Sequence, residues 1–377
     1  MRILFTFIGG LGHFEPLVPV ARAAAAAGHD VAVAGSGGLI ARIEDAGFRA
    51  FATSPPRPPA SPAPRDVTPL APTDARAAEV EFAENFADKG ARRHATAVQE
   101  HIRDWRPDVI VRDEADLGSA IAAEVCGVQC ATVLVLAAGM LVRPELVEPP
   151  LVRLREEHGL PLRPASSMLE GGLVLVPFAP SFRSPESPVP LPESTFWYRP
   201  GDRVAMTPRP ERPRVYATLG TVFNTESGDL FERLLAGLAE VDADVLVTVG
   251  RTVDPAAFGP QPAHVRIEQY VPQAEVLRET DLVVSHGGSG SLTATLAHGL
   301  PSVLLPLGAD QPHNARRAEE LGVARILDAA LATAAAVRRA VEEALDDDGI
   351  AGRARAVAAE IDGLPGVEAT IPLLEGL

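Results

Sequence analysis

Asp281-Leu282-Val283-Val284-Ser285-His286-Gly287-Gly288-Ser289-Gly290-Ser291, running on through Pro301-Ser302-Val303-Leu304-Leu305-Pro306 to Gly308-Ala309-Asp310-Gln311, decides the fold. Asp281–Ser285 is apolar after its acidic start, the pattern of a short strand covered on both faces. It meets a glycine-rich turn whose small residues let backbone N–H groups converge, and then a helix expected over Leu292–His298. Unpaired N–H groups and the positive end of a helix dipole make such a turn an anion site. His286, Ser289 and Ser291 add side-chain donors. After a further strand, Ser302–Leu305, the pair Asp310-Gln311 offers a carboxylate and an amide at a carboxyl edge, where open parallel sheets hold ligands. An anion at the turn and a hydroxylated group at Asp310-Gln311 together describe a nucleotide sugar.

Working outward, strands and helices alternate along the whole chain, the sign of doubly wound parallel sheets. Arg2–Ile8 is the expected first strand, Gly9-Gly10-Leu11-Gly12-His13 its turn, and Pro16–Ala27 an alanine-rich helix closed by Gly28. Strands Asp30–Ala34, Phe48–Ala52, Asp108–Arg112, Gln129–Leu136 and Leu173–Val176 follow, the last closing the first half. Ser54–Pro72 is proline-dense loop, and Asp74–Trp105 is helical with a break near Gly90. A second proline cluster, Pro177–Pro213, holds the linker. The boundary falls near Thr207, giving domains 1–206 and 207–377. A chain of 377 residues is too long for one core, and two α/β domains facing across a cleft is the expected architecture.

Composition narrows the partners. A net charge of −16, from 50 acids against 34 bases, disfavours nucleic acid and acidic membrane surfaces. An anionic ligand must then be met by local dipoles. Cys126 and Cys130 have no second pair to complete a zinc site and read as small buried hydrophobes. The N-terminal apolar run is a strand rather than a signal peptide, and no run reaches membrane-spanning length. A cytoplasmic protein is expected. Oligomeric state is open, with a homodimer kept in view.

A dinucleotide fingerprint fails at Gly10 and Gly12, because Glu15 takes the third glycine's place and no acid closes the second strand. What remains is His13 at a strand end facing the cleft, suited to a general base since an imidazole titrates near neutrality. It needs a carboxylate to fix its tautomer. Asp113, at the end of Asp108–Arg112, is the expected partner and Asp116 the alternative. Phe14, Phe82, Phe86 and Met140 are candidates for an apolar acceptor wall, with ordinary core packing as the competing assignment.

Gly12-His13 with Pro16, Leu219-Gly220-Thr221, Tyr270-Val271-Pro272-Gln273, His286–Ser291 and Asp310-Gln311 together resemble the GT-B nucleotide-sugar glycosyltransferases, and within them the bacterial branch that decorates polyketides, macrolides and enediynes. The resemblance spans essentially the whole chain. It implies a metal-independent inverting transferase without a cofactor, His13 taking the acceptor's proton and Asp113 orienting it. It assigns the diphosphate to Thr221, His286, Gly288, Gly290 and Ser291, the sugar hydroxyls to Asp310 and Gln311, and the base to Tyr270; Ser289 and Val271 are counted in the same donor site. It also implies that the last residues, about 363–377, cross back onto the N-terminal domain. Many relatives carry a glutamate eight residues after the motif histidine, bonded to the ribose; here that residue is Ala294, which accepts nothing. A dTDP-linked sugar then fits better than a UDP-linked one. Two other readings share the architecture: a sugar-nucleotide 2-epimerase, which needs no acceptor, and a non-catalytic partner of a true transferase.

Overall fold

Ile3, Leu4 and Phe5 of the first strand are wholly buried, so both of its faces are covered, as in a parallel sheet between helical layers. A computed structural model describes residues 1–56, 67–164, 172–202, 211–220 and 227–377 of the chain. Among these, the N-terminal sheet has seven parallel strands: β1 Arg2–Thr6, β2 Asp30–Gly35, β3 Arg49–Ala52, β4 Val109–Asp113, β5 Gln129–Val133, β6 Val174–Val176 and β7 Thr195–Trp197, in the order β3-β2-β1-β4-β5-β6-β7. The C-terminal sheet has six: β8 Arg214–Thr218, β9 Asp244–Thr248, β10 Val265–Glu268, β11 Leu282–Ser285, β12 Ser302–Leu304 and β13 Ala324–Ile326, in the order β10-β9-β8-β11-β12-β13. Strand order reverses between β1 and β4 in one sheet and between β8 and β11 in the other. Crevices that receive ligands open at such switch points.

Several expectations are corrected. Leu173–Val176 does not close the first half, because β7 lies parallel to β6 beyond it. β13, absent from the sequence reading, pairs with β12. Asp74–Trp105 is not broken at Gly90: the helix Ala75–Phe82 widens into a π-helical stretch, Ala83–Gly90, and continues as Ala91–Trp105. Gly90 is there for closeness, since a Cβ would lie 2.4 Å from the Asn85 carbonyl oxygen and from Ile8 Cδ1. The helix after β11 starts at Ser289 rather than Leu292, with Gly288 as N-cap, so Ser289 and Ser291 occupy its first turn. His13 likewise lies in a short helix, Leu11–Phe14, not in the turn. Cys126 and Cys130 are free and half-buried. The expected boundary near Thr207 lies outside the described residues.

Two features hold the halves together. Leu134, Phe178 and Phe182 of the first half share one apolar cluster with Leu292, Leu304 and Ile361 of the second. The chain end then packs against the first domain: Ile371 and Leu374 join the core formed by Ile3, Phe5 and Val20, and Arg199 donates to the carbonyls of Asp362 and Leu364 at 3.2 and 3.1 Å. No helix among the described residues is long and apolar enough to cross a membrane.

Candidate active site

Gly9, at φ +96°, turns the chain sharply after β1 and passes so near His13 that a Cβ would sit 2.9 Å from its Cδ2. The Phe86 ring packs against the imidazole as well, centroid to centroid 5.4 Å. The imidazole presents Nδ1 to Asp113 Oδ2 at 3.5 Å, an electrostatic pair rather than a formed hydrogen bond. The His13 side chain is 19% exposed and Asp113 is fully buried. Nε2 makes no hydrogen bond among the described residues. Burial opposes a charge on the ring, but the Asp113 carboxylate, helped by Asp310 and Glu114, outweighs it and raises the pKa above the usual 6.5. With Nδ1–H turned to the carboxylate, the tautomer that fits leaves the Nε2 lone pair open.

The structure separates the two candidate partners. Asp113, the last residue of β4, is fixed by the amides of Ile8 at 2.9 Å, Asp116 at 3.0 Å and Ala115. Asp116 instead caps the helix Leu117–Cys126 through Ser119 and meets His94 Nδ1 at 3.2 Å, while His94 Nε2 meets Thr53 Oγ1 at 3.1 Å. Burial alone would raise the pKa of Asp116, but His94 and Ser119 pull it down to about 2. This Thr53–His94–Asp116 chain is buried throughout and belongs to the scaffold beneath the site.

Across the cleft, His286 follows β11 and is buried at the sheet's switch point. It is wedged between two glycines: a Cβ on Gly220 or on Gly288 would come within 2.6 Å of the ring. Burial pushes its pKa down to about 4 against the opposing pull of Asp310, so it is neutral at physiological pH. Ser289, Gly290 and Ser291 open the helix Ser289–Ala297, and their N–H groups point out of its first turn. Ser291 Oγ accepts from Gln273 Nε2 at 2.7 Å, which leaves its own proton for a ligand. Tyr270 is 47% exposed, with the Arg251 guanidinium 3.7 Å above one face of its ring, beside a half-buried Val271. Ala294 packs against the buried cluster of Tyr216, Leu277 and Val283 and offers no polar atom from its side chain. Thr221 lies outside the described residues.

Asp310 Oδ2 accepts from Ser289 Oγ at 2.5 Å and from Asn314 Nδ2 at 2.8 Å. Gln311 is 2% exposed, and its carbonyl caps the amides of Leu307 and Gly308, so only its NH₂ is available to a ligand. Of the apolar acceptor candidates, Phe14 takes the competing assignment as core: it packs on Phe7 at 5.3 Å, 4% exposed, within the N-terminal core. Phe82 is equally buried and stacks on Phe86 at 4.8 Å. Phe86 and Met140 stay half-buried. Met140 lines an interdomain cavity of about 470 Å³ with Glu79, Arg143 and His313. Charged side chains also line that cavity, where Glu79 holds Arg76 at 2.9 Å and Arg143 at 2.7 Å.

Sequence reasoning missed Arg112, Glu114 and Asn314. Arg112 is wholly buried and donates to the carbonyls of Asp113 and Glu114 at 3.0 and 2.9 Å. Glu114 accepts from the amides of Val135 and Leu136 at 3.2 and 3.0 Å. The Arg112 bonds are to its own neighbours and those of Glu114 reach 21 and 22 residues along the chain, and no sequence pattern announces either.

Two parallel-sheet domains, each offering its switch-point crevice to a shared cleft, define a GT-B transferase. The chain matches the N-terminal domain of the erythromycin biosynthesis protein CIII-like family over residues 22–144 and its C-terminal domain over 232–375. It belongs to that family of natural-product glycosyltransferases. Among its relatives, tylactone mycaminosyltransferase of Streptomyces fradiae is 28% identical, covering 100% of this chain and 92% of the relative, and 10-deoxymethynolide desosaminyltransferase of Streptomyces venezuelae is 28% identical, covering 100% and 97%. The fold is similar to that of spinosyn rhamnosyltransferase SpnG, solved with thymidine diphosphate, at a TM-score of 0.79 and 24% identity over 100% of both chains. The protein is an enzyme that transfers a sugar to a natural-product acceptor.

Proposed function

We propose that the enzyme moves a sugar, a deoxysugar in the preferred reading, from a dTDP-linked donor to a hydrophobic small-molecule acceptor with inversion at the anomeric carbon, and that His13 is the general base. The observation that carries this reading is His13 with Nε2 open and Nδ1 on Asp113, facing a second domain whose Asp310 charge it feels. The acceptor hydroxyl gives its proton to Nε2 as its oxygen attacks the anomeric carbon from the face opposite the diphosphate. The bond to the diphosphate oxygen breaks as the new one forms. Asp113 stabilises the imidazolium that results. Charge building on the leaving diphosphate meets the first-turn N–H groups of the helix Ser289–Ala297, the Ser291 hydroxyl and the neutral His286, so the reading requires no cation. Asp310 Oδ1 and the Gln311 amide face the sugar hydroxyls. The open face of Tyr270 stacks on the nucleobase.

The preference for dTDP rests on Ala294, which provides no acceptor for a ribose 2′-hydroxyl. Isothermal calorimetry with dTDP and UDP side by side tests it. The expected result is tighter binding of dTDP; a clear preference for UDP overturns it. The relatives named above are transferases, and thymidine diphosphate in SpnG supports the same nucleotide class here.

A further inference from the structure

We propose that Asn314 is a positioning residue, which aims the Asp310 carboxylate at the donor sugar and makes that aim depend on contact with the N-terminal domain. The inference rests on the donor-sugar reading of Asp310 given above.

Asn314 sits one helical turn after Asp310, in the helix Gln311–Glu320, and is 1% exposed. Its Nδ2 donates to Asp310 Oδ2 at 2.8 Å, to the Gly287 carbonyl at 3.0 Å and to Ser289 Oγ at 3.1 Å. Its Oδ1 accepts from the amide of Ala138, in the other domain, at 3.1 Å. The partners fix the orientation of the amide. Gly287 and Asp310 can only accept and Ala138 can only donate, so a flipped amide would set a carbonyl against two acceptors.

Ser289 completes the network. Its single proton goes to Asp310 Oδ2, and its lone pairs take Asn314 Nδ2 and the Ala137 amide, the latter at 2.8 Å. Asp310 Oδ2 is thus held by two donors, while Oδ1 accepts nothing among the described residues and is the oxygen left for a hydroxyl. The preceding Ala309 adopts φ +52°, a left-handed conformation that a non-glycine residue adopts at a cost and that brings the carboxylate over the helix end. Two consecutive amides of the N-terminal domain, Ala137 and Ala138, therefore touch the two side chains that hold Asp310. Drawing the domains apart would strip one bond from each.

Asn314→Asp tests this, because it keeps shape and the bond to Ala138 but replaces the NH₂ with an acceptor facing Gly287 and Asp310. Asn314→Ala is the second variant. The probes are whichever of dTDP and UDP the wild type binds, and the glucose conjugate of that nucleotide, both measured by calorimetry. In both variants the free diphosphate should bind within about 3-fold of wild type, while the ratio of sugar-nucleotide to diphosphate dissociation constants rises at least 10-fold. In an Asp310→Ala background the same Asn314 changes should move that ratio by less than 2-fold, since the residue through which Asn314 acts is gone. Unchanged ratios, or equal losses for both probes, overturn the role. A wild type that binds neither diphosphate overturns the donor reading itself, and this inference with it.

Discussion

At the scale of a residue, the proposed base depends on a balance of two opposing effects. Burial disfavours a charged imidazole at position 13, and the Asp113 carboxylate more than restores it. His13 must be neutral to accept a proton, so kcat/KM should fall as pH drops through a pKa lying above 6.5. Asp113→Asn removes the main raising influence and leaves burial, so the acid limb should shift to lower pH while the plateau drops roughly 10²-fold or more. A pH–rate profile checks both effects together. A limb that stays in place would remove Asp113 from contact with the titrating group. The sequence narrowed the partner to two aspartates but could not choose between them. Asp113 ends a strand and Asp116, three residues on, caps the next helix, and what distinguishes them is tertiary: Asp116 faces His94, which in turn is bonded to Thr53.

At the scale of the element, periodicity served well wherever strands were long and both flanks carried turn residues. It failed at β7 and β13, each three residues long. Thr195-Phe196-Trp197 sits inside a proline-rich run, and Ala324-Arg325-Ile326 has an arginine at its centre where the equally short β6 and β12 carry an apolar residue. The helix after β11 begins three residues before its expected start, since glycine and serine read as turn although Ser289 to Ser291 are already helical there. The crossing of the chain end onto the first domain is expected only from the family resemblance, which names no helix there; the structure forms one, Ile371–Glu375. Its docking is now visible as burial: Leu374 is 0% exposed within the N-terminal core, beside Ile371. Leu374→Ala should lower stability by about 2–5 kcal/mol, the usual cost of emptying a leucine site in a packed core. Urea denaturation of the full chain measures it. A loss below about 0.5 kcal/mol would mean that the terminal helix merely rests on the domain.

At the scale of the whole molecule, the site exists because two independent sheets reverse their strand order at crevices that open on one cleft. That much was legible in the sequence, because each half carries its own strand–glycine turn–helix unit: Gly9–His13 in the first and His286–Ser291 in the second. The bonds that tie the halves together were not legible. Asn314 and Ala138 are 176 residues apart, and Ala137 and Ser289 are 152 apart, so only the assembled chain brings them into contact. The division of labour proposed across the cleft, with the C-terminal half gripping the donor and the N-terminal half activating the acceptor, predicts that the two tasks can be uncoupled. The most direct measurement is to compare dTDP affinity and sugar-transfer turnover in His13→Ala. Affinity within about 3-fold of wild type with turnover reduced roughly 10²–10⁴-fold is the expected result. Near-normal turnover, or loss of dTDP binding in step with turnover, would contradict it.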